Sequence, residues 1–203
     1  MTMLKIDHLA VSCTALDDGA AVVEAALGLP LVAGGTHAHM GTHNRLLRLG
    51  DLYLEVIAID PQAAAPAWPR WFALDEFAGA PRLTNWVAAC DDLDAAVAQA
   101  PEGVGVPVDL ARGDLRWRMA VPGDGRLPFD GAHPALIQWQ GPHPVTRLPD
   151  TGARLARLVV THPEATALRA ALADLSDPRL VIEPGPLALR AEIDTPHGRR
   201  VLA

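Results

Sequence analysis

Apolar and polar positions fall into short segments that predict strands, and the first series begins near the amino end. An apolar run over residues 4–12, interrupted by Asp7 and His8, predicts a strand. A helical pattern over 17–27 follows and ends at Gly28, as helices commonly do. After a loop rich in glycine and histidine, residues 43–49 and 51–59 read as two strands joined at Gly50. The order is therefore strand, helix and several strands.

The same order returns further along the chain. Residues 4–13 reappear 77 positions later as 81–90, so that His8 superposes on Asn85 and Cys13 on Cys90. The second copy predicts a strand over 83–89, a short helix over 93–99, and strands over 115–121 and 135–140. Internal repetition of units too small to close their own core predicts that the copies pack on one another.

A third copy follows Pro149, with a strand over 154–161 and a helix over 164–175. Its last three strands are predicted over 179–183, 187–193 and 199–202. The repeats predict a domain over 1–148, made of units 1–62 and 81–141 joined by a crossover rich in proline and tryptophan, and a third module over 149–203. That module is expected either to cap the first pair or to pair with its counterpart in a homodimer.

Composition narrows the class of partner. The chain has 203 residues, half of them apolar, and a net charge of −7 without any basic run. These features disfavour nucleic acid and anionic membranes as partners and favour a small-molecule ligand or other proteins. No signal-peptide pattern or membrane-spanning apolar run is present, which indicates a cytoplasmic protein. In that compartment Cys13 and Cys90 are expected to be free thiols.

Two ionisable residues lie within predicted strands. Strand periodicity places His8 on one face with Ile6 and Ala10, and it places Glu55 on one face with Tyr53 and Ile57. A glutamate among apolar neighbours requires a partner. The pair is therefore a candidate metal or proton-transfer site, and the alternative is a buried structural ion pair that includes Arg45.

The tandem strand–helix–strands units, with His8 in the first strand and Glu55 in the last, resemble the vicinal oxygen chelate superfamily. The string from Gly41 to Leu47, running on to residues 53–58, is similar to its glyoxalase-like domain proteins. The resemblance implies an α+β fold in which tandem βαβββ modules form a cup-shaped mixed sheet with helices outside, followed by a third, partial module. It also implies one divalent ion (Zn, Fe, Mn, Ni or Co) on the concave face.

The positions that the resemblance assigns to metal ligands are His8 and Glu55 in the first unit and Asn85 and Gln138 in the second. Imidazole and carboxylate suit such an ion, whereas side-chain amides are weak ligands. The second half of the chain thus departs from the metalloenzyme pattern.

Other polar and aromatic side chains are candidates for the ligand cavity. His37 and His43 flank the glycine-rich loop, and Trp86 adjoins Asn85. Arg116 and Arg118 alternate with Trp117, so the two arginines share one face. On the concave face they would form a fork for a carboxylate or phosphate, and on an exposed face they would be ordinary surface residues.

Two functions follow from these residues and the resemblance. The first is a small-molecule enzyme in which a metal at His8 and Glu55 polarises paired substrate oxygens, or in which Glu55 acts as the base. The second is a metal-free protein that binds or sequesters a small molecule, which the amides Asn85 and Gln138 favour. The residues do not distinguish isomerase, lyase, dioxygenase or epimerase chemistry.

Overall fold

The computed structural model describes residues 3–203 and confirms an α+β fold of repeated strand–helix–strands units. Residues 1 and 2, where the first predicted unit begins, lie outside the described residues. The first unit comprises β1 (Lys5–Ser12), α1 (Leu16–Leu27), β2 (Val32–His37), β3 (Thr42–Leu49) and β4 (Leu52–Ile59). The second comprises β5 (Arg82–Ala89), α2 (Leu93–Gln99), β6 (Val106–Arg112), β7 (Leu115–Val121) and β8 (Ala135–Trp139). The third comprises β9 (Arg154–His162), α3 (Ala165–Ala171), β10 (Leu180–Pro184), β11 (Ala188–Thr195) and β12 (Gly198–Leu202).

The first two units share one curled sheet of eight strands in the order β2-β3-β4-β1-β5-β8-β7-β6. Strands β1 and β5 pair antiparallel at its centre, while β1 with β4 and β5 with β8 are parallel. The backbone N–H of Cys13 donates to the Ile57 carbonyl, and that of Cys90 donates to the Ile137 carbonyl. The two halves are therefore related by an approximate twofold axis between β1 and β5.

Strands β2 and β6 were not predicted: β2 shows no apolar alternation, and in β6 the alternation of Val106, Val108 and Leu110 contains Pro107, which disfavours a strand. They are the two edges of the sheet, and β2 carries Gly34 and Gly35 while β6 carries Pro107. Proline is tolerated on an edge strand because one row of N–H groups there is unpaired. Helix α3 ends at Ala171, earlier than the expected residue 175.

The third module forms a separate four-stranded sheet, in the order β10-β9-β11-β12, on the helix side of the large sheet. Its Leu158, Leu189 and Leu202 belong to the same buried cluster as Leu9 and Trp86. The third module thus covers the outer face within this chain. No helix within residues 3–203 is long and apolar enough to cross a membrane.

A β-bulge at Asp7 changes which residues face the concave side. In the pairing of β1 with β5, Ile6 lies opposite Ala88 and His8 opposite Val87, so Asp7 is the extra residue. The prediction that Ile6 shares a face with His8 is therefore wrong, and Ile6 packs into the outer core. A second register shift lies between the pairs Ala10–Asn85 and Val11–Leu83. Thr84 is therefore the extra residue of β5, at the position that the repeat relates to Asp7.

Candidate functional site

The concave face encloses a cavity of about 30 Å³, which is room for roughly one water molecule. Its apolar walls come from the crossover and from strands of the second unit, including Trp71, Phe72, Trp117 and Trp139. The polar lining residues are His8, His37, Asn44, Tyr53, Glu55 and Arg112. We call this space the cup.

His8 is held by the carboxylate of Asp7, whose Oδ1 lies 2.6 Å from the imidazole Nδ1. The other carboxylate oxygen of Asp7 accepts from the Trp139 indole and from His143 Nε2, both at 2.9 Å. Burial raises the pKa of Asp7, but the hydrogen bonds from His143 and His8 outweigh it and hold the pKa well below its usual range. Because ionised Asp7 can only accept, Nδ1 of His8 donates to it, and Nε2 of the ring is directed into the cup.

Glu55 is 5% exposed. One of its carboxylate oxygens accepts a hydrogen bond and the other accepts none within residues 3–203. Asn44 Nδ2 donates to Oε1 at 2.5 Å. Oε2 lies 3.6 Å from His8 Nε2, which is too long for a hydrogen bond. The imidazole nitrogen of His8 and the free carboxylate oxygen of Glu55 therefore face each other across a gap that a proton or a polar substrate group can enter.

The orientation of Asn44 depends on strand β2. Its Oδ1 accepts from the backbone N–H of Gly35 at 2.8 Å and from Arg112 at 3.3 Å, which turns Nδ2 towards Glu55. A Cβ atom on Gly34 would lie 1.9 Å from the same oxygen. The glycines of β2 thus permit the contact that fixes Glu55.

Arg112 links the second unit to the first. Its guanidinium lies 3.2 Å from Nε2 of His37, whose Nδ1 lies 3.0 Å from the Thr42 hydroxyl. Burial, together with the positive charge of Arg112, lowers the pKa of His37 to about 3. His37 is therefore neutral at neutral pH and accepts from Arg112.

Further donors border the cup. The indole N–H of Trp71 is buried and has no hydrogen-bond partner among the described residues. The ring of Tyr53 stacks on His8 with centroids 4.4 Å apart. Burial raises the pKa of Tyr53 well above its usual value, so its hydroxyl remains a donor. An oxygen atom in the cup would meet an uncompensated donor at Trp71.

The donor set does not fit a divalent metal ion. His8 and Glu55 supply two ligand atoms, whereas protein sites for such ions use three or four. The Nε2 lone pair of His37 is occupied by the Arg112 guanidinium, and Asn44 turns its donor end to Glu55. Within residues 3–203 no cluster of three acidic, histidine or cysteine side chains is placed to hold a metal.

The structure does not bring Gln138 and Asn85 to the cup. Gln138 faces α2, where its amide accepts from the Leu93 N–H and donates to the Asp91 carbonyl. The residue related to Glu55 is Ala135, since Ile57 and Ile137 occupy equivalent places. Asn85 lines a second cavity instead.

Several other candidates lie on the outer face. Arg118 forms a bidentate pair with Asp94 at 2.7 and 3.0 Å, and Arg116 donates to the carbonyls of Gly113 and Leu115. Trp117 takes the concave side between them. Trp86 is buried in the outer core, where its indole donates to the Ala132 carbonyl. His43 alternates with Asn44 and does not line the cup.

The expected ion pair between Arg45 and Glu55 is also absent from the described residues, because Arg45 pairs with Asp17 at 2.7 Å. The thiols of Cys13 and Cys90 are free and buried, and burial raises the pKa of each to about 11. Neither thiol is therefore a nucleophile at neutral pH.

Asp7, Asn44, Arg112 and Trp71 were missed as site residues. Two adjacent polar residues, Asp7 and His8, in an otherwise apolar strand were a usable sign of a bulge. Asn44 directly follows His43 in the string that carries the family resemblance. No feature of the sequence identified Arg112 as a site residue, because it lies at the end of the edge strand β6, which was not predicted.

Comparison with known proteins agrees with this fold. A family model described as a glyoxalase-like domain matches residues 6–176. No curated protein is similar enough in sequence to count as a match. The crystal structure of a hypothetical protein from Staphylococcus aureus aligns with a TM-score of 0.61 at 13% identity, covering 91% of this chain and 87% of that one.

Methylmalonyl-CoA epimerases align less well. That of Streptomyces coelicolor has a TM-score of 0.43 and 16% identity, over 68% of this chain and 96% of its own. That of Mycobacterium tuberculosis has a TM-score of 0.43 and 19% identity, over 66% and 85%. At these identities the likeness concerns the fold alone.

Proposed function

The chain belongs to the glyoxalase-like domain family, and on that premise we propose that it is a small-molecule enzyme in which Glu55 moves a proton at a carbon next to a carbonyl group. The observation that carries the proposal is the free Oε2 of Glu55, buried in the cup and facing Nε2 of His8 at 3.6 Å. A carboxylate buried to this degree is costly to keep ionised, and groups of this kind cluster at functional sites.

The step needs no external oxidant or reductant. Glu55 Oε2 accepts the proton from the substrate carbon, and the C–H electron pair moves into an enolate whose charge rests on the carbonyl oxygen. The N–H groups of Trp71 and Arg112 are the donors that would stabilise this oxygen. Return of this proton from Glu55 to a neighbouring atom of the enolate would complete an isomerisation and regenerate the carboxylate. An epimerisation would need a proton delivered to the opposite face of the same carbon.

His8 is the second acceptor in this scheme. Its Nε2 can take a proton from a substrate hydroxyl or from protonated Glu55, and ionised Asp7 would stabilise the imidazolium that forms. Asp7 also fixes the orientation of the ring. The pair thus offers two proton-transfer groups at different positions around one substrate.

Substrate entry requires movement of the wall of the cup. The 3-10 segment Trp71–Glu76 fills the space above His37, with the rings of Trp71 and His37 5.1 Å apart. The segment is tied by an N–H of Ala73 to the Gly125 carbonyl and by Arg70 to the Met40 carbonyl. Displacement of Phe72 and the rest of this segment would enlarge the cup, and return of Trp71 over the bound substrate would bring its N–H to the substrate oxygen.

The test is deuterium incorporation from D2O into a panel of dicarbonyl compounds, catechols and acyl thioesters, followed by proton NMR. Wild type should label at least one carbonyl compound, and Glu55→Gln should lose at least about 10²-fold of that rate. Gln keeps an acceptor for Asn44, so Glu55→Gln is a near-isosteric control for folding. Labelling that persists in Glu55→Gln would contradict the proposal.

A second candidate is binding without chemistry, which the aromatic walls of the cup favour. Trp71, Trp117 and Trp139 offer flat apolar surfaces to an aromatic compound. Under this alternative a ligand would quench tryptophan fluorescence in wild type and in Glu55→Gln alike, and no compound would exchange deuterium.

A further inference from the structure

A second and larger cavity, of about 570 Å³, lies at the beginning of β5. It is bounded by the crossover, by residues 126–131 and by residues 187–189 of the third module. Its volume falls within the range of small-molecule sites. Its apolar walls are Phe72, Phe77, Leu83, Leu127, Leu187 and Leu189.

Asn85 supplies an unpaired polar group to this cavity. The residue is only 4% exposed overall, and its amide makes no side-chain hydrogen bond within residues 3–203. The amide opens onto the cavity, so it is not one of the buried unpaired groups of the described residues. A ligand atom within the cavity would satisfy it.

Backbone strain is concentrated at the same place. The non-glycine residues with positive φ in the described chain are Phe72, Ala73, Phe129 and Asp130, with φ between 50° and 58°. Three of the four line the cavity and Phe129 adjoins it. Strained residues of this kind cluster at ligand-binding sites.

Arg82 is the cavity's candidate for binding an anion, although Glu76, Asp130 and an oxygen of Ala203, which accepts from the Leu83 N–H at 3.4 Å, also border the cavity. Arg126 is paired with Glu76 at 2.6 Å, and Asp130 points to His162 Nε2 at 3.9 Å. Arg82 instead donates to the backbone carbonyls of Ala78 and Ala80. Within residues 3–203 no carboxylate lies within salt-bridge distance of Arg82, and its guanidinium lies 4.4 Å from the centre of the Phe77 ring.

We propose that this cavity is a second ligand site, separate from the cup, which binds a small molecule with an apolar body, a carboxylate at Arg82 and a hydroxyl or carbonyl group at Asn85. Arg82 and Asn85 both line the cavity from β5, so one small molecule can reach both side chains. The third module is part of the site, because Leu187 and Leu189 form one of its walls.

The probes for this proposal are 3-(4-hydroxyphenyl)propionate, 3-phenylpropionate and 3-(4-hydroxyphenyl)propionamide, with affinity measured by titration calorimetry. The first probe should bind about tenfold more tightly than either of the others, as one hydrogen bond or one ion pair allows. Asn85→Leu should abolish the advantage of the hydroxyl, and Arg82→Gln should abolish the advantage of the carboxylate. Arg116→Gln is the matched charge control and should change nothing.

Two further variants separate this site from the cup. Leu187→Trp changes a side chain that is 43% exposed, and it should fill the cavity and remove binding without loss of folding. Glu55→Gln should leave the affinity of all three probes unchanged. Absence of binding at millimolar concentration, or binding lost in Glu55→Gln and retained in Leu187→Trp, would overturn the proposal.

Discussion

His8 Nε2 and Glu55 Oε2 face each other at 3.6 Å without a hydrogen bond between them. Each is oriented by its own partner, His8 by Asp7 and Glu55 by Asn44. Both atoms are thus directed at one small buried space. Paired groups of this kind suit proton transfer better than a structural ion pair, which would close to hydrogen-bond distance.

Stability should fall as the pH decreases from about 6.5. Burial lowers the pKa of His37 to about 3 and that of His133 to about 4, so between these values and 6.5 the unfolded chain binds more protons than the folded one. Each histidine should then contribute about 1.4 kcal/mol of unfolding free energy per pH unit. Urea unfolding at pH 4.5 to 7.5 measures this slope. His133→Gln should reduce the slope by about one proton, and an unchanged slope would contradict its assignment as a buried neutral residue.

Arg112→Gln should lower ligand affinity or reaction rate at the cup without unfolding the protein. The guanidinium contacts His37 and Asn44 across the two units, and loss of a charged hydrogen bond typically costs tenfold to a hundredfold in ligand affinity or rate. The pKa of His37, followed by NMR, should rise because a neighbouring positive charge is removed. Arg116→Gln, which changes an arginine outside the cup, should leave both quantities unaltered. A His37 pKa that does not respond to Arg112→Gln would show that the contact is absent in solution.

Gly34→Ala should change the orientation of Glu55 by displacing Asn44. The new methyl group would lie 1.9 Å from Asn44 Oδ1, so Asn44 must move and release its bond to Glu55. Overpacking of this kind costs about 1–3 kcal/mol. Gly123→Ala is the control, since no atom lies within 4 Å of its added Cβ. Equal melting temperatures for the two variants would contradict the packing described for β2.

Metal uptake should stay below one equivalent. His8 and Glu55 provide two donors, and the amide positions implied by the family resemblance do not join them. Elemental analysis after incubation with Zn, Mn, Fe(II), Ni or Co and desalting measures the content. One full equivalent that is lost in both His8→Ala and Glu55→Gln would instead establish a metal site in the cup.

The repeat of apolar segments predicted most of the fold, because strands that are buried on both faces appear in the sequence as short apolar runs. The repeat did not predict the two edge strands, because β2 contains two glycines and β6 contains a proline. His8 and Glu55 were identified because ionisable residues in such strands are rare. Gln138 was misaligned with Glu55, since the offset of 77 between Cys13 and Cys90 becomes 80 between Ile57 and Ile137. Asp7 and Arg112 depend on a bulge and on the meeting of two sheet edges, which no single segment encodes.

The most direct test of proton transfer by Glu55 measures affinity and deuterium exchange together, in wild type and in Glu55→Gln, for one carbonyl compound that wild type labels. Glu55→Gln should retain affinity within about threefold while its exchange rate falls by at least about 10²-fold. That split would identify Glu55 as the group that moves the proton. An exchange rate that is unchanged, or that falls only in proportion to affinity, would contradict this role of Glu55.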